Sequence, residues 1–193
     1  REGDVLYLPP GVVHWGTAQR ACITYSIGMR APQLSDLGAE LPDDECTNRF
    51  YEDPDLGVAE ARPGFISGAS LERARRLIGH RDDESVAQVL GRFASMTKDW
   101  ISPDTPSAEE IEAILARLHA GSGVRVHGMA RIAWNEHHIC VNGRCRALPR
   151  EATELVADIC AKRRARGGRK HGQSVRDVLR WMSAAGAFEI PGN

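Results

Sequence analysis

Apolar positions recur along this chain with two different periods, and the change of period divides it into three stretches. In the first, Val5, Leu6, Tyr7 and Leu8 form a short apolar run stopped by Pro9, Pro10 and Gly11, which predicts a strand entering a turn. A second strand is expected from Ala21 to Met29. Alternation there puts Cys22, Thr24 and Ser26 on one face and Ile23, Tyr25 and Ile27 on the other. From Gln33 the spacing turns helical, although Pro42 and Pro54 limit the first part to short helices and loops. Ser70 to Gly79 reads as a helix. Glu84 to Thr97 reads as another, with Val86, Val89, Leu90, Phe93 and Met96 in one apolar stripe. Ser107 and Glu110 form a capping box that opens a third, which buries Ile111, Ile114, Leu115 and Leu118 and ends at Gly121 and Gly123.

The last stretch mixes both periods. Val124 to Trp134 and His137 to Val141 are strand-like, and Asn142-Gly143 predicts a tight hairpin because both turn positions need positive φ. Glu151 to Arg164 and Ser174 to Ala185 predict helices, and Phe188 to Ile190 a final strand. Between the helices, residues 162–170 (KRRARGGRK) carry six basic side chains and read as a solvated loop. Strands, two helices and a basic loop indicate a winged-helix-like module and an α+β chain.

Composition narrows the function classes. Hydrophobic residues are 42%, charged residues 26% and the formal net charge is −1, so no global charge draws the chain to nucleic acid or a membrane. No apolar run approaches the roughly 20 residues of a membrane helix, and no secretory signal pattern is present. Cys22, Cys46, Cys140, Cys145 and Cys160 are odd in number and irregularly spaced, which favours a reducing, cytoplasmic setting over a disulfide framework. The charge is uneven, however: Gln33 to Glu60 holds nine carboxylates and one arginine. That acidic face suits either plain solvation or attraction of a basic protein.

His14 is the leading candidate for chemistry. A strand, a rigid Pro-Pro-Gly turn and then a histidine entering the next strand hold an imidazole still, as a metal ligand requires. A lone turn histidine without metal fits the same residues. The stretch GDVLYLPPGVVHWG resembles the segment that carries the distal metal histidine of cupin-type JmjC oxygenases. Thr24-Tyr25-Ser26-Ile27-Gly28-Met29-Arg30-Ala31-Pro32 resembles the Y-S-x-G-x-R-A-P segment of their bacterial ribosomal-oxygenase branch. Phe50-Tyr51-Glu52-Asp53-Pro54-Asp55, Leu90-Gly91-Arg92-Phe93 and the Ser107 helix follow in the expected order.

The resemblance implies a fold and an activity. The fold would be a C-terminal remnant of a JmjC/cupin double-stranded β-helix (1–32), a helical dimerisation region (33–119) and a winged-helix-like domain (120–193). The activity would be hydroxylation of a large-subunit ribosomal protein, at an arginine, with Fe(II) and 2-oxoglutarate as metal and cosubstrate. His14 would bind iron, and Thr24 and Ser26 would face the cosubstrate. Thr24 stands where that branch commonly has Asn, so it keeps a hydrogen-bonding group and loses the amide; both residues also fit ordinary strand positions. The expected partners are a ribosomal protein and a second copy of the chain, with no membrane and no nucleic acid.

One departure is decisive for activity. The family's other two iron ligands come from an H-x-D motif upstream of the distal histidine, and no such motif precedes His14. His80-Arg81-Asp82 spells H-x-D downstream, where it reads as surface polarity. The chain is therefore expected to be an inactive fragment taken alone. The alternatives are a non-catalytic dimerising module, a winged-helix DNA-binding protein using Arg163, Arg164 and Arg166, and a non-oxygenase cupin enzyme. The helical and winged-helix extension speaks against the last. Finally, His138, Cys140 and Cys145 share a hairpin; two packed cross-strand thiols are expected there rather than a zinc site.

Overall fold

The computed structural model describes residues 4–8, 12–26, 32–38, 50–52, 62–78, 82–98, 101–167 and 171–190. The chain divides into two compact units, Arg1–Arg30 and Ala31–Asn193.

In the first unit the described residues form no helix and no strand, and all of them are exposed. The strands expected at Val5–Leu8 and over Ala21–Met29 are thus corrected to chain without regular secondary structure, with Ile27–Met29 outside the described residues. The alternation is present, but alternation only prepares a strand. Its N–H and C=O groups must also pair with a neighbour, and a strand without a ladder is marginal in water.

Among the described residues of the second unit three helices come first. Helix α1 (Gly68–Ile78) starts two residues earlier than Ser70, because Ser67 Oγ accepts from Ser70 N at 3.1 Å and caps it. Helix α2 (Asp83–Ser95) is capped by Asp82, which accepts from Ser85 N at 2.8 Å and Ser85 Oγ at 2.9 Å. It stops at Ser95, short of the expected Thr97, because Met96 turns extended. Helix α3 (Ala108–His119) carries the capping box as expected, with Ser107 and Glu110 each accepting from the other's backbone N–H. Gly121 then turns the chain at φ 79°.

Six short strands follow, interleaved with two helices. Strand β1 (Gly123–Val126) is the centre of one antiparallel sheet, between β5 (Arg164–Arg166) and β6 (Phe188–Glu189). Strands β2 (Ile132–Trp134), β3 (His138–Val141) and β4 (Arg144–Ala147) form the other. The single strand expected over Val124–Trp134 is therefore two strands in two sheets. The chain turns between them, where His127 accepts from Met129 N on its ring and from Ala130 N on its carbonyl. The predicted hairpin forms as a β3–β4 turn with Asn142 at φ 49° and Gly143 at φ 79°. Helix α4 (Thr153–Lys162) ends at Arg163, which is left-handed at φ 50°, and α5 (Gln173–Ala184) leads into β6. The basic stretch is not wholly a loop: Ala165 is buried and locks Arg164–Arg166 onto β1.

Two apolar cores hold this unit. One gathers Val124, Ile139, Val156, Ile159, Val178 and Met182 between the sheets and α3–α5. The other joins Leu37 and Tyr51 to α1 and α2, with Tyr51 donating its hydroxyl to Ser70 O at 3.0 Å. Helix α2 also lies against β2, β3 and β4. A Cβ at Gly91 would sit 2.6 Å from Cys140 Sγ, so only glycine allows that approach. Cys140 and Cys145, directly opposite in the β3–β4 register, are joined in a disulfide. The expected free thiols are thus corrected to a bonded pair, and a zinc site there would lack its thiolates.

Candidate functional site

The three candidate residues His14, Thr24 and Ser26 lie in the first unit. His14 is exposed, and its Nδ1 is 3.2 Å from the Val12 carbonyl oxygen. With the Nδ1–H donated to that carbonyl, Nε2 keeps its lone pair for an incoming group. Trp15 Nε1 donates to Thr17 Oγ1 at 3.1 Å and steadies the next residues. Thr24 and Ser26 are exposed as well, and no hydrogen bond among the described residues joins either to His14. The structure thus shows three candidate side chains, one of them an oriented imidazole, without assembling them into a pocket.

A two-His-one-carboxylate iron centre needs three ligands. Among the described residues no group of three or more His, Cys, Asp or Glu is placed to hold a metal ion. His14 alone does not make a complete iron centre. The downstream H-x-D has another explanation at its described end: Asp82 is the α2 cap. The Ser85 amide, then the Ser85 hydroxyl, hold its carboxyl below the usual carboxylate range. His80 and Arg81 lie outside the described residues.

Two features of the second unit went unread in the sequence. One is a hollow of about 440 Å³ between α1, α2 and the Asn135–His138 turn, bordered by Leu71, Glu72, Glu84, Val86 and His137. His138 borders it too; its Nδ1 is buried without a hydrogen-bond partner, and its Nε2 is 3.7 Å from Glu84. No sequence signal marks that nitrogen, because it depends on α2 covering β3. The other is a basic groove of about 840 Å³ on the β1–β5 side. Its signal was legible as alternation in Val124-Arg125-Val126 and Arg164-Ala165-Arg166.

Comparison with known proteins gives matches of different extent. Residues 1–37 match the JmjC domain family. Over 135 residues the chain is 30% identical to the ribosomal protein uL16 3-hydroxylase of Escherichia coli (strain K12), covering 66% of this chain and 36% of that protein. Over 84 residues it is 33% identical to a probable ribosomal oxygenase of Haemophilus influenzae, covering 44% of this chain and 19% of the relative. Among solved structures it is similar to the Escherichia coli ribosomal oxygenase YcfD in complex with cobalt and 2-oxoglutarate. That match has a TM-score of 0.47 at 20% identity and covers 84% of this chain and 47% of the other.

The chain thus carries a JmjC-domain segment. It is similar to parts of the two curated proteins above and spans about a third or less of their length. Among the described residues no helix is long and apolar enough to cross a membrane.

Proposed function

We propose that this chain supplies the distal-histidine segment and the C-terminal region of a protein hydroxylase acting on a large-subunit ribosomal protein in the cytoplasm, at an arginine. The observation that carries the reading is His14. It lies within residues 1–37, which match the JmjC domain family, and its Nδ1 faces the Val12 carbonyl so that Nε2 is available. In this reading His14 would be one ligand of Fe(II), and Thr24 and Ser26 would lie near 2-oxoglutarate. Two further ligands must come from an H-x-D motif, which no residues before His14 provide. The helical stretch 33–119 pairs two copies, stretch 120–193 is the winged-helix-like domain, and the carboxylates between Asp36 and Glu60 draw in the basic substrate.

The test is made on the protein translated from the longest open frame that contains this chain. Incubated with Fe(II), 2-oxoglutarate and large-subunit ribosomal proteins, it is expected to add one oxygen atom to one of them, read by mass. His14→Ala is expected to abolish the addition. An unchanged substrate mass with the wild type, or full activity in His14→Ala, contradicts the reading.

A further inference from the structure

The basic groove is built by the β1–β5 pairing. Gly123 lies opposite Arg166 and Arg125 opposite Arg164, while Val124 and Ala165 point into the core. Alternation therefore puts Arg125, Arg164 and Arg166 on one outward face, whose fourth position, Gly123 opposite Arg166, has no side chain. Arg164 and Arg166 stand about 6.8 Å apart along their strand, and Arg125 about 5 Å across from Arg164. Of the described residues bordering the groove, Arg125, Lys162, Arg163, Arg164 and Arg166 face a single carboxylate, Asp158.

The existing partners leave this charge uncompensated. Asp158 is taken by Lys162 at 2.5 Å, and Arg125 is 3.8 Å from Glu189 on the far strand. Arg163 is structural: its guanidinium donates to the His127 carbonyl at 2.9 Å and the Ala130 carbonyl at 3.4 Å, tying the α4 end to the β1–β2 turn. Arg164 and Arg166 have no ion-pair partner among the described residues. Like charges directly across a strand pair weaken a sheet, so Arg125 facing Arg164 is a cost that a bound anion would remove.

We propose that this face binds the phosphate backbone of double-stranded RNA. Arginine forks match phosphate in a bidentate way. The groove is far larger than a single inorganic anion needs. No aromatic side chain is among its described borders, so it has no platform for stacking unpaired bases. That leaves backbone contact, the mode by which A-form duplexes are read. The choice of RNA over DNA rests on the ribosomal-protein reading above; the phosphate site does not. It also departs from the near-neutral composition, which hides a face whose charge is organised only by the fold.

The test is fluorescence anisotropy of the 193-residue chain with a labelled RNA duplex of about 16 base pairs, titrated between about 50 and 200 mM salt. Binding that weakens with salt is expected, with Arg164→Glu/Arg166→Glu losing more than about tenfold in affinity and flattening the log–log salt slope by about 2. Arg75→Glu/Arg76→Glu on α1, equal in charge change, is expected to leave binding within about twofold. Arg164→Gln/Arg166→Gln repeats the test with neutral residues if charge reversal prevents folding. Absence of wild-type binding, equal loss in both double reversals, tighter binding of the matching DNA duplex, or full displacement by polyglutamate overturns the proposal. None of these readouts measures hydroxylation, so this inference and the enzymatic reading fail separately.

Discussion

In Arg1–Arg30, Val13, Trp15 and Tyr25 are 97%, 93% and 89% exposed, whereas in Ala31–Asn193 Ile139, Val141 and Val156 are fully buried. Both regions alternate apolar and polar positions where strands are expected. They differ in partners. Val141 pairs with Ile132 and with Arg144, so its backbone is satisfied on both sides while α2 lies against its sheet. Val5–Leu8 has no such ladder among the described residues. The candidate residues His14, Thr24 and Ser26 thus sit on the unit whose described residues lack this support.

The sharpest form of that contrast is truncation in each region. Ile139→Ala removes a fully buried side chain between β2 and β4 and is expected to cost about 2–5 kcal/mol in urea unfolding. Trp15→Ala, although it removes a larger group, is expected to change stability by less than about 0.5 kcal/mol. A large loss from Trp15→Ala would mean that the first unit is packed in solution, and the comparison would break. Gly91→Ala tests the close approach of α2 to the disulfide and is expected to cost about 1–3 kcal/mol, read in the same way. Ser107→Ala removes one half of the α3 capping box and is expected to cost about 0.5–2 kcal/mol.

Thiol chemistry gives the smallest but cleanest readout. Burial pushes Cys160 up to about 12, so its thiolate is scarce near neutral pH, whereas Cys22 is exposed in the first unit. Timed labelling with a disulfide reagent at pH 8 is expected to modify Cys22 at once and Cys160 only on unfolding. Rapid labelling of Cys160 would contradict the buried position.

Much of the second unit was legible because its signals are local. The Ser107–Glu110 box, the Asn142-Gly143 turn and the apolar stripe around Val86 and Leu90 each specify their element within a few residues. What was not legible depends on pairing. The break between β1 and β2 rests on a turn bonded to the His127 ring, and β5 forms because Ala165 meets Val124 across a long sequence gap. The disulfide was weighed only as two neighbouring thiols, since an odd cysteine count hides a single local bridge. For the candidate site, the flanking residues of His14 carry the resemblance, and its hydrogen bond to Val12 adds an orientation. The assembly of His14, Thr24 and Ser26 into one pocket could not follow from the segment, because ligand geometry comes from the elements around it.

The central claim is that His14 is one ligand of a centre these residues do not complete by themselves. Titration of the purified 193-residue chain with Co(II), a spectroscopic stand-in for Fe(II), followed by visible absorption and calorimetry, tests it most directly. The account predicts no stoichiometric binding at micromolar metal and no difference between wild type and His14→Ala. One equivalent bound at micromolar affinity, and lost in His14→Ala, would contradict it.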